Sequence, residues 1–182
     1  MVLSGEQSGG KPLRRLQVTS KRLQIAVLVL IALTPVAVCA TILTGAWADL
    51  LRLPAVIELD ASRITGFALI AVIVLGSIKP AAILFAFWRL YRLLGLYREG
   101  TVFTAGNVAA IRKIGWALVT IDIAGMAQTI ATGPALSLFG VVQRHISLRP
   151  ELAFLTVGLF VVLVAHVMEL GRELKEQDSL VI

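Results

Sequence analysis

The chain of 182 residues has very little of what catalytic and metal-binding proteins need. It contains one cysteine, Cys39, and two histidines, His145 and His166, and it carries no GxSxG, HExxH, P-loop or GxGxxG motif. A lone cysteine excludes an intrachain disulfide, and Cys39 has no CxxC or histidine companion at the spacing of a metal site. We therefore expect no enzymatic activity, no cofactor and no metal centre.

Charged residues are also scarce inside four long apolar runs, although 58% of the whole chain is hydrophobic. A transmembrane helix needs about 20 apolar residues, and unpaired backbone cannot face lipid. The sequence therefore predicts an all-α membrane protein with four transmembrane helices, at about residues 23–46, 64–88, 114–133 and 152–170.

We see no repeat and no second domain, so residues 21–182 are expected to form one transmembrane domain behind a disordered basic tail, residues 1–20. An alternative for the first run is a cleaved signal peptide, because basic residues precede it and Val38-Cys39-Ala40 resembles a cleavage site. The uncharged run exceeds the 7–15 residues of a signal core, which favours a retained span.

Basic residues predict the orientation, because cytoplasmic loops of membrane proteins are enriched in Lys and Arg. The N-terminal tail, the central loop 89–113 and the C-terminal tail 171–182 carry most of them, whereas each of the two other loops carries two. We therefore expect both termini and the central loop in the cytoplasm, with helical extensions at the central loop and the C-terminus.

The central loop carries five basic residues that we interpret as contacts for anionic lipid headgroups or for a protein partner: Arg89, Arg92, Arg98, Arg112 and Lys113. The formal net charge of +6 would raise nucleic acid as a partner in a soluble protein. Here the basic residues flank apolar runs, so no direct contact with nucleic acid is expected. A homo-oligomer remains open.

Five residues of this loop carry signals for helix ends. Gly100 is predicted to stop the helix that leaves the second span. The hydroxyl of Thr104 is expected to cap the next helix by accepting from the amide of Asn107, and Phe103 with Val108 has the spacing of a hydrophobic staple.

Lys79 and Asp122 interrupt the second and third runs. Lys79 precedes Trp88 by nine positions and Asp122 follows Lys113 by nine, so both lie about 13 Å from the same membrane boundary. Two unpaired charges would cost about 5–7 kcal/mol on insertion scales, which favours an intramembrane ion pair. A pair that fixes helix register, a proton- or ion-coupled site, and separate snorkelling of Lys79 stay open.

Two motifs resemble a known family. Tyr97-Arg98-Glu99-Gly100, Phe103-Thr104, Asn107-Val108 and Arg112-Lys113-Ile114-Gly115 form the first, and a charged tail from Glu169 to Ile182 forms the second, which departs from the family at Ser179. Over roughly residues 20–182 the chain resembles the bacterial domain-of-unknown-function family 2975 of small four-span membrane proteins. The resemblance implies the bacterial inner membrane and carries over no catalytic residues.

Two functions remain from these observations. The favoured one is a non-enzymatic interaction or regulatory protein that presents the basic loop and the charged C-terminal helix. The alternative is a small transporter or channel-like protein that uses Lys79 and Asp122. His166 with the glutamates that follow it could form a metal or proton site, but ordinary surface pairs on a helix explain the same spacing.

Overall fold

The computed structural model describes residues 10–51, 53, 64–98, 104–141 and 152–178. In this part of the chain the structure is all-helical, as predicted, with five helices and no strand. The helices are α1 (Gly10–Leu43), α2 (Trp47–Leu51), α3 (Phe67–Arg98), α4 (Ala105–Leu138) and α5 (Ala153–Asp178).

Four of these helices contain segments long and apolar enough to cross a membrane, so the chain is a multi-pass membrane protein. The segments are Thr19–Leu43, Phe67–Tyr97, Ala105–Leu138 and Ala153–Leu174. α1 begins at Gly10, well inside the tail that the sequence predicts to be disordered. Lys, Arg, Leu and Gln dominate that stretch and are good helix formers, and Pro12 is tolerated in a first turn.

α4 is longer than the sequence predicts, because Pro134 lies inside the helix and does not end it. The helix ends one turn later, where Gly140 adopts a positive φ of 66°. The Val141 amide donates to the Leu136 carbonyl at 3.1 Å, and the Gly140 amide donates to the Ser137 carbonyl at 3.1 Å. This is a Schellman motif, with an apolar contact between its two ends.

The large helices pack as a layer in which α4 lies between α3 and α5, while α1 packs mainly on α3. The tightest crossing joins α4 to α5 through two glycines. A Cβ added at Gly158 would lie 2.7 Å from the carbonyl oxygen of Gly115, and one at Gly115 would lie 2.8 Å from the carbonyl oxygen of Gly158. Small residues of this kind let helix backbones approach closely in membranes.

α5 is displaced along the bundle relative to α4. Its first turn lies beside Asp122, near the middle of α4, since the Leu155 amide donates to that carboxylate. From this level α4 continues for about 24 Å, at 1.5 Å per residue. α5 therefore covers only the half of α4 that leads back to the α3–α4 connection.

The short helix α2 closes the other end of the bundle. Leu50 and Leu51 of α2 are buried in an apolar cluster with α3 and with the end of α4. Leu50 lies directly against Gly76, so that any Cβ at Gly76 would clash with its side chain. The connection after α1 thus returns to the core.

Candidate functional site

Lys79 of α3 is almost completely buried, with 4% of its surface exposed. Its side chain lies against Gly125 of α4, where an added Cβ would be 3.3 Å from Cδ and 3.4 Å from Nζ. The missing side chain at Gly125 therefore makes the space in which the amine end of Lys79 lies between the two helices.

Asp122 of α4 is also buried, with 2% of its surface exposed, and its carboxylate faces α5. Oδ2 accepts a hydrogen bond of 2.7 Å from the main-chain amide of Leu155. Leu152 occupies the N-cap position of α5, since its carbonyl accepts the first bond of that helix from the Thr156 amide at 3.0 Å. A leucine side chain has no acceptor, so Asp122 caps α5 from the neighbouring helix.

The capping arrangement suits a carboxylate, because the N-terminus of a helix carries roughly +0.5 of an elementary charge. It leaves Oδ1 of Asp122 buried without a hydrogen-bond partner. One oxygen is thus engaged by α5, and the second is held away from water.

The predicted ion pair is not tested by this geometry and stays a prediction. Both side chains are buried. The Lys79 amine lies against Gly125, which follows Asp122 by three residues on α4, and Cβ positions at that spacing are about 5–6 Å apart. The contact between Asp122 and the α5 amide was not foreseen.

Gln128 is a buried polar residue that the sequence analysis missed. Its side chain is 2% exposed and bridges three helices. Oε1 accepts from the Lys79 main-chain amide at 3.3 Å, and Nε2 donates to the Leu50 carbonyl of α2 at 3.2 Å. The signal was present, because a carboxamide inside an apolar run with helical spacing to Gly125 and Thr132 is expected to face other helices.

Lys79, Asp122 and Gln128 therefore form a layer of buried polar side chains across the middle of the bundle, which we call the polar layer. Through it α2, α3, α4 and α5 are joined by hydrogen bonds or close packing. Buried polar contacts of this kind hold helices in register in membranes.

The predicted basic residues lie together at the end of the bundle where α3 leads into α4. Arg92 and Lys113 are exposed, and Arg112 Nη1 donates to Glu169 Oε2 of α5 at 3.0 Å. The guanidinium of Arg89 lies 4.7 Å from the ring centre of Phe85, a cation–π contact. We call Arg89, Arg92, Arg112 and Lys113 the basic end; Arg98 is the last residue of α3.

Aromatic rings surround this end of the bundle. The rings of Trp88 and Tyr91 stack with centres 6.0 Å apart, and Trp116 of α4 is exposed. Tryptophan and tyrosine concentrate at membrane–water interfaces. Their position next to the basic end fits a membrane boundary at this level.

The predicted cap at the start of α4 is correct in position and wrong in its donor–acceptor detail. Thr104 is the N-cap residue with extended backbone, but its side chain makes no capping hydrogen bond. Its carbonyl accepts from the amides of Asn107 at 3.0 Å and Val108 at 3.3 Å. Asn107 is fully buried, whereas Gly100 and Phe103 lie outside the described residues.

His166 is exposed on α5. Among the residues that the structure describes, no group of three histidine, cysteine, aspartate or glutamate side chains could hold a metal ion. Glu169, three residues after His166 on the same helix, is engaged by Arg112.

A sequence model of proteins of unknown function, DUF2975, matches residues 58–182. The chain belongs to the DUF2975 family. The match includes α3, α4 and α5, with Lys79, Asp122, Gln128 and the basic end, and it begins after α1 and α2. Membership in DUF2975 gives no indication of an enzymatic activity, and no curated protein or solved structure matches the chain.

Proposed function

We propose that this DUF2975 protein is a non-enzymatic interaction or regulatory protein of the bacterial cytoplasmic membrane, and that its basic end binds a partner on the cytoplasmic side. The observation that carries the proposal is the exposure of Arg92 and Lys113 beside the Arg112–Glu169 bridge, which joins α4 to α5 at the same end.

The basic end is built on helices and not on loops. Arg89 and Arg92 belong to α3, Arg112 and Lys113 belong to α4, and Glu169 belongs to α5. A surface that is already ordered loses less conformational freedom on binding, which favours affinity. The bridge itself is half-exposed, with 46% and 33% of its two side chains accessible, so its worth is about 0.2–1 kcal/mol and its main effect is orientation.

Charge supports the cytoplasmic orientation. The basic end, the first part of α1 and the end of α5 carry more Lys and Arg than the two connections at the opposite end. Short loops with this excess stay in the cytoplasm. Anionic headgroups at that surface attract basic residues by about 1 kcal/mol each, so lipid is a competing ligand for the same side chains.

Site-specific photocrosslinking in the native membrane tests the proposal. A photoreactive amino acid at Lys113 should give a discrete protein adduct that mass spectrometry identifies. The matched control is the same amino acid at Val157, an exposed apolar position of α5, which should give lipid adducts. The Arg92→Glu substitution, combined with the probe at residue 113, should reduce the protein adduct at least fivefold.

Two outcomes would refute the interaction function. One is a set of adducts at residue 113 that contains lipid alone. The other is a protein adduct that forms equally well at residue 157 or that survives charge reversal at Arg92, since neither would depend on the basic end.

The alternative is a small transporter or channel-like protein. The observation that favours it is the burial of two ionisable side chains, Lys79 and Asp122, in adjacent membrane helices. It predicts proton or ion flux into liposomes that contain the protein, measured with an internal pH dye, and loss of that flux in Asp122→Asn. Liposomes that stay impermeable with the wild-type protein would remove this alternative.

A further inference from the structure

A cleft of about 360 Å³ opens between α1 and the rest of the bundle. Its volume is within the range of small-molecule binding sites. The cleft runs along α1 from Leu30 to Thr41, and α2 lies at its Thr41 end, since the Ala46 amide just before α2 donates to the Thr41 carbonyl at 3.1 Å. This is the end of the bundle away from the basic end, so the cleft does not depend on the function proposed there.

The α1 side of the cleft is apolar. Four aliphatic side chains of this helix line it: Leu30, Leu33, Ala37 and Val38. The hydroxyls of Thr34 and Thr41 on this side donate to carbonyls of their own helix at 2.8 Å, so they offer no free donor to a ligand. A predominantly apolar lining with a small number of polar groups is the usual composition of a ligand site, and this wall suits a hydrocarbon group.

Two polar residues of the lining, Lys79 and Gln128, already have contacts inside the bundle. Gln128 uses both ends of its carboxamide, because Oε1 accepts from the Lys79 main-chain amide and Nε2 donates to the Leu50 carbonyl. The amine end of Lys79 lies against Gly125, which is outside the lining of the cleft. We therefore assign neither side chain a contact with a ligand.

Asp49 of α2 is the charged residue of the lining that is open to a ligand. It is exposed, and within the described part of the chain its carboxylate forms no hydrogen bond and no ion pair. A free carboxylate at the end of an apolar cleft attracts a cation and repels an anion. The attraction is stronger there than in bulk water, because apolar walls lower the effective dielectric constant. The charge of the cleft thus selects a cationic group.

The dimensions select the kind of apolar group. The α1 stretch that lines the cleft runs from Leu30 to Thr41, which is about 16 Å at 1.5 Å per residue. A volume of about 360 Å³ over that length leaves a narrow channel, about as wide as one extended hydrocarbon chain. Counted at ~30 Å³ per water-sized group, the cleft holds roughly 12 heavy atoms. It is therefore too small for the two chains of a phospholipid.

We propose that this cleft binds a single-chain cationic amphiphile, with its ammonium group at Asp49 and a hydrocarbon chain of about 12 carbons along the aliphatic face of α1. Contact of the chain with the leucine, alanine and valine side chains fills the cleft, and the carboxylate selects the head by its charge. The head lies at the α2 end of the bundle, so the chain points toward the basic end.

Native mass spectrometry of the full chain, released from phosphatidylcholine nanodiscs, tests the site with dodecyltrimethylammonium as the probe. The wild-type protein should bind one probe molecule saturably, and should bind dodecanol and dodecyl sulfate at least fivefold more weakly. Asp49→Asn, which keeps the size of the side chain and removes its charge, should weaken binding of the probe at least tenfold. Glu173→Gln is the matched control at an exposed carboxylate of α5 and should stay within twofold of wild type.

Two further variants distinguish the cleft from a simple surface charge. Ala37→Phe, which fills the cleft from the exposed α1 side, should weaken binding of the probe at least tenfold although the carboxylate is retained. Asp49→Lys should lose the probe and bind dodecyl sulfate at least fivefold more tightly than the wild-type protein does. Because Asp49 is exposed, both substitutions at this position are expected to leave the protein folded.

The proposal is overturned if binding of the probe is unsaturable, if dodecanol binds as tightly as the probe, or if either Asp49→Asn or Ala37→Phe binds the probe like wild type. Phosphatidylethanolamine added to the nanodiscs should not displace the probe, because its two chains exceed the cleft. Displacement at comparable concentrations would assign the cleft to a bilayer lipid and overturn the single-chain ligand.

Discussion

The close approach of α4 and α5 makes a quantitative prediction for Gly158→Ala. The new Cβ would lie 2.7 Å from the Gly115 carbonyl oxygen and 3.0 Å from the Val119 amide nitrogen, and both are backbone atoms that cannot rotate away. Ordinary contact begins at 3.4 Å. The helices must therefore separate by roughly 0.7 Å, and a gap of this size forfeits a quarter to a half of each contact that it opens.

Overpacking of this kind costs about 1–3 kcal/mol. The gain in helix propensity from Gly to Ala offsets up to about 1 kcal/mol. We expect Gly158→Ala to lower the free energy of unfolding by about 1–2 kcal/mol. The assay is unfolding in detergent micelles by titration with a denaturing detergent, followed by circular dichroism.

The control is Gly171→Ala in the same helix. A Cβ at Gly171 would meet nothing within 4 Å, so only the propensity term applies, and this variant should gain about 0.5–1 kcal/mol. The reasoning is refuted if Gly158→Ala is as stable as Gly171→Ala, because the two backbones would then not be in contact.

Three further predictions concern the polar layer and the orientation. In a double-mutant cycle, Lys79→Ala should destabilise more than the Lys79→Ala/Asp122→Ala double variant, and losses that add within about 0.5 kcal/mol would exclude the ion pair. Asp122→Asn, which keeps an acceptor for the α5 amide, should be more stable than Asp122→Ala, which should lose about 1–3 kcal/mol in the same unfolding assay; equal losses would contradict the cap. In a Cys39→Ser background, Gln177→Cys should resist a membrane-impermeant maleimide in intact cells and react after permeabilisation, whereas labelling of intact cells would contradict a cytoplasmic C-terminus.

The long apolar runs and the burial of Lys79 and Asp122 were predictable from the sequence, because lipid imposes length on a helix and a strong penalty on an exposed charge. The continuation of α3 beyond the second predicted span was also predictable, almost to its last residue, Arg98. These features depend on the composition of one segment and on the lipid around it, and both can be inferred from the sequence.

The contact of Asp122 with α5 was not predictable in the same way. Its partner is a main-chain amide. Because every residue except proline has a main-chain amide, the residue types in the sequence do not indicate which amide the carboxylate contacts. α2 was missed for a related reason. Its five residues are too few to show a helical period. Leu50 is buried where Gly76, a residue far along the chain, leaves room for its side chain.

The cap that Asp122 places on α5 also bears on how the protein enters the membrane. The Leu152 side chain offers no acceptor to the first amides of α5, and each amide left unpaired in hydrocarbon is costly. When α4 is already inserted, the Leu155 amide of α5 donates to the Asp122 carboxylate of α4. This hydrogen bond lowers the free-energy cost of burying both groups in the membrane. The two helices are therefore best integrated as a hairpin, because a chain that stops after α4 would leave the Asp122 carboxylate without its α5 partner.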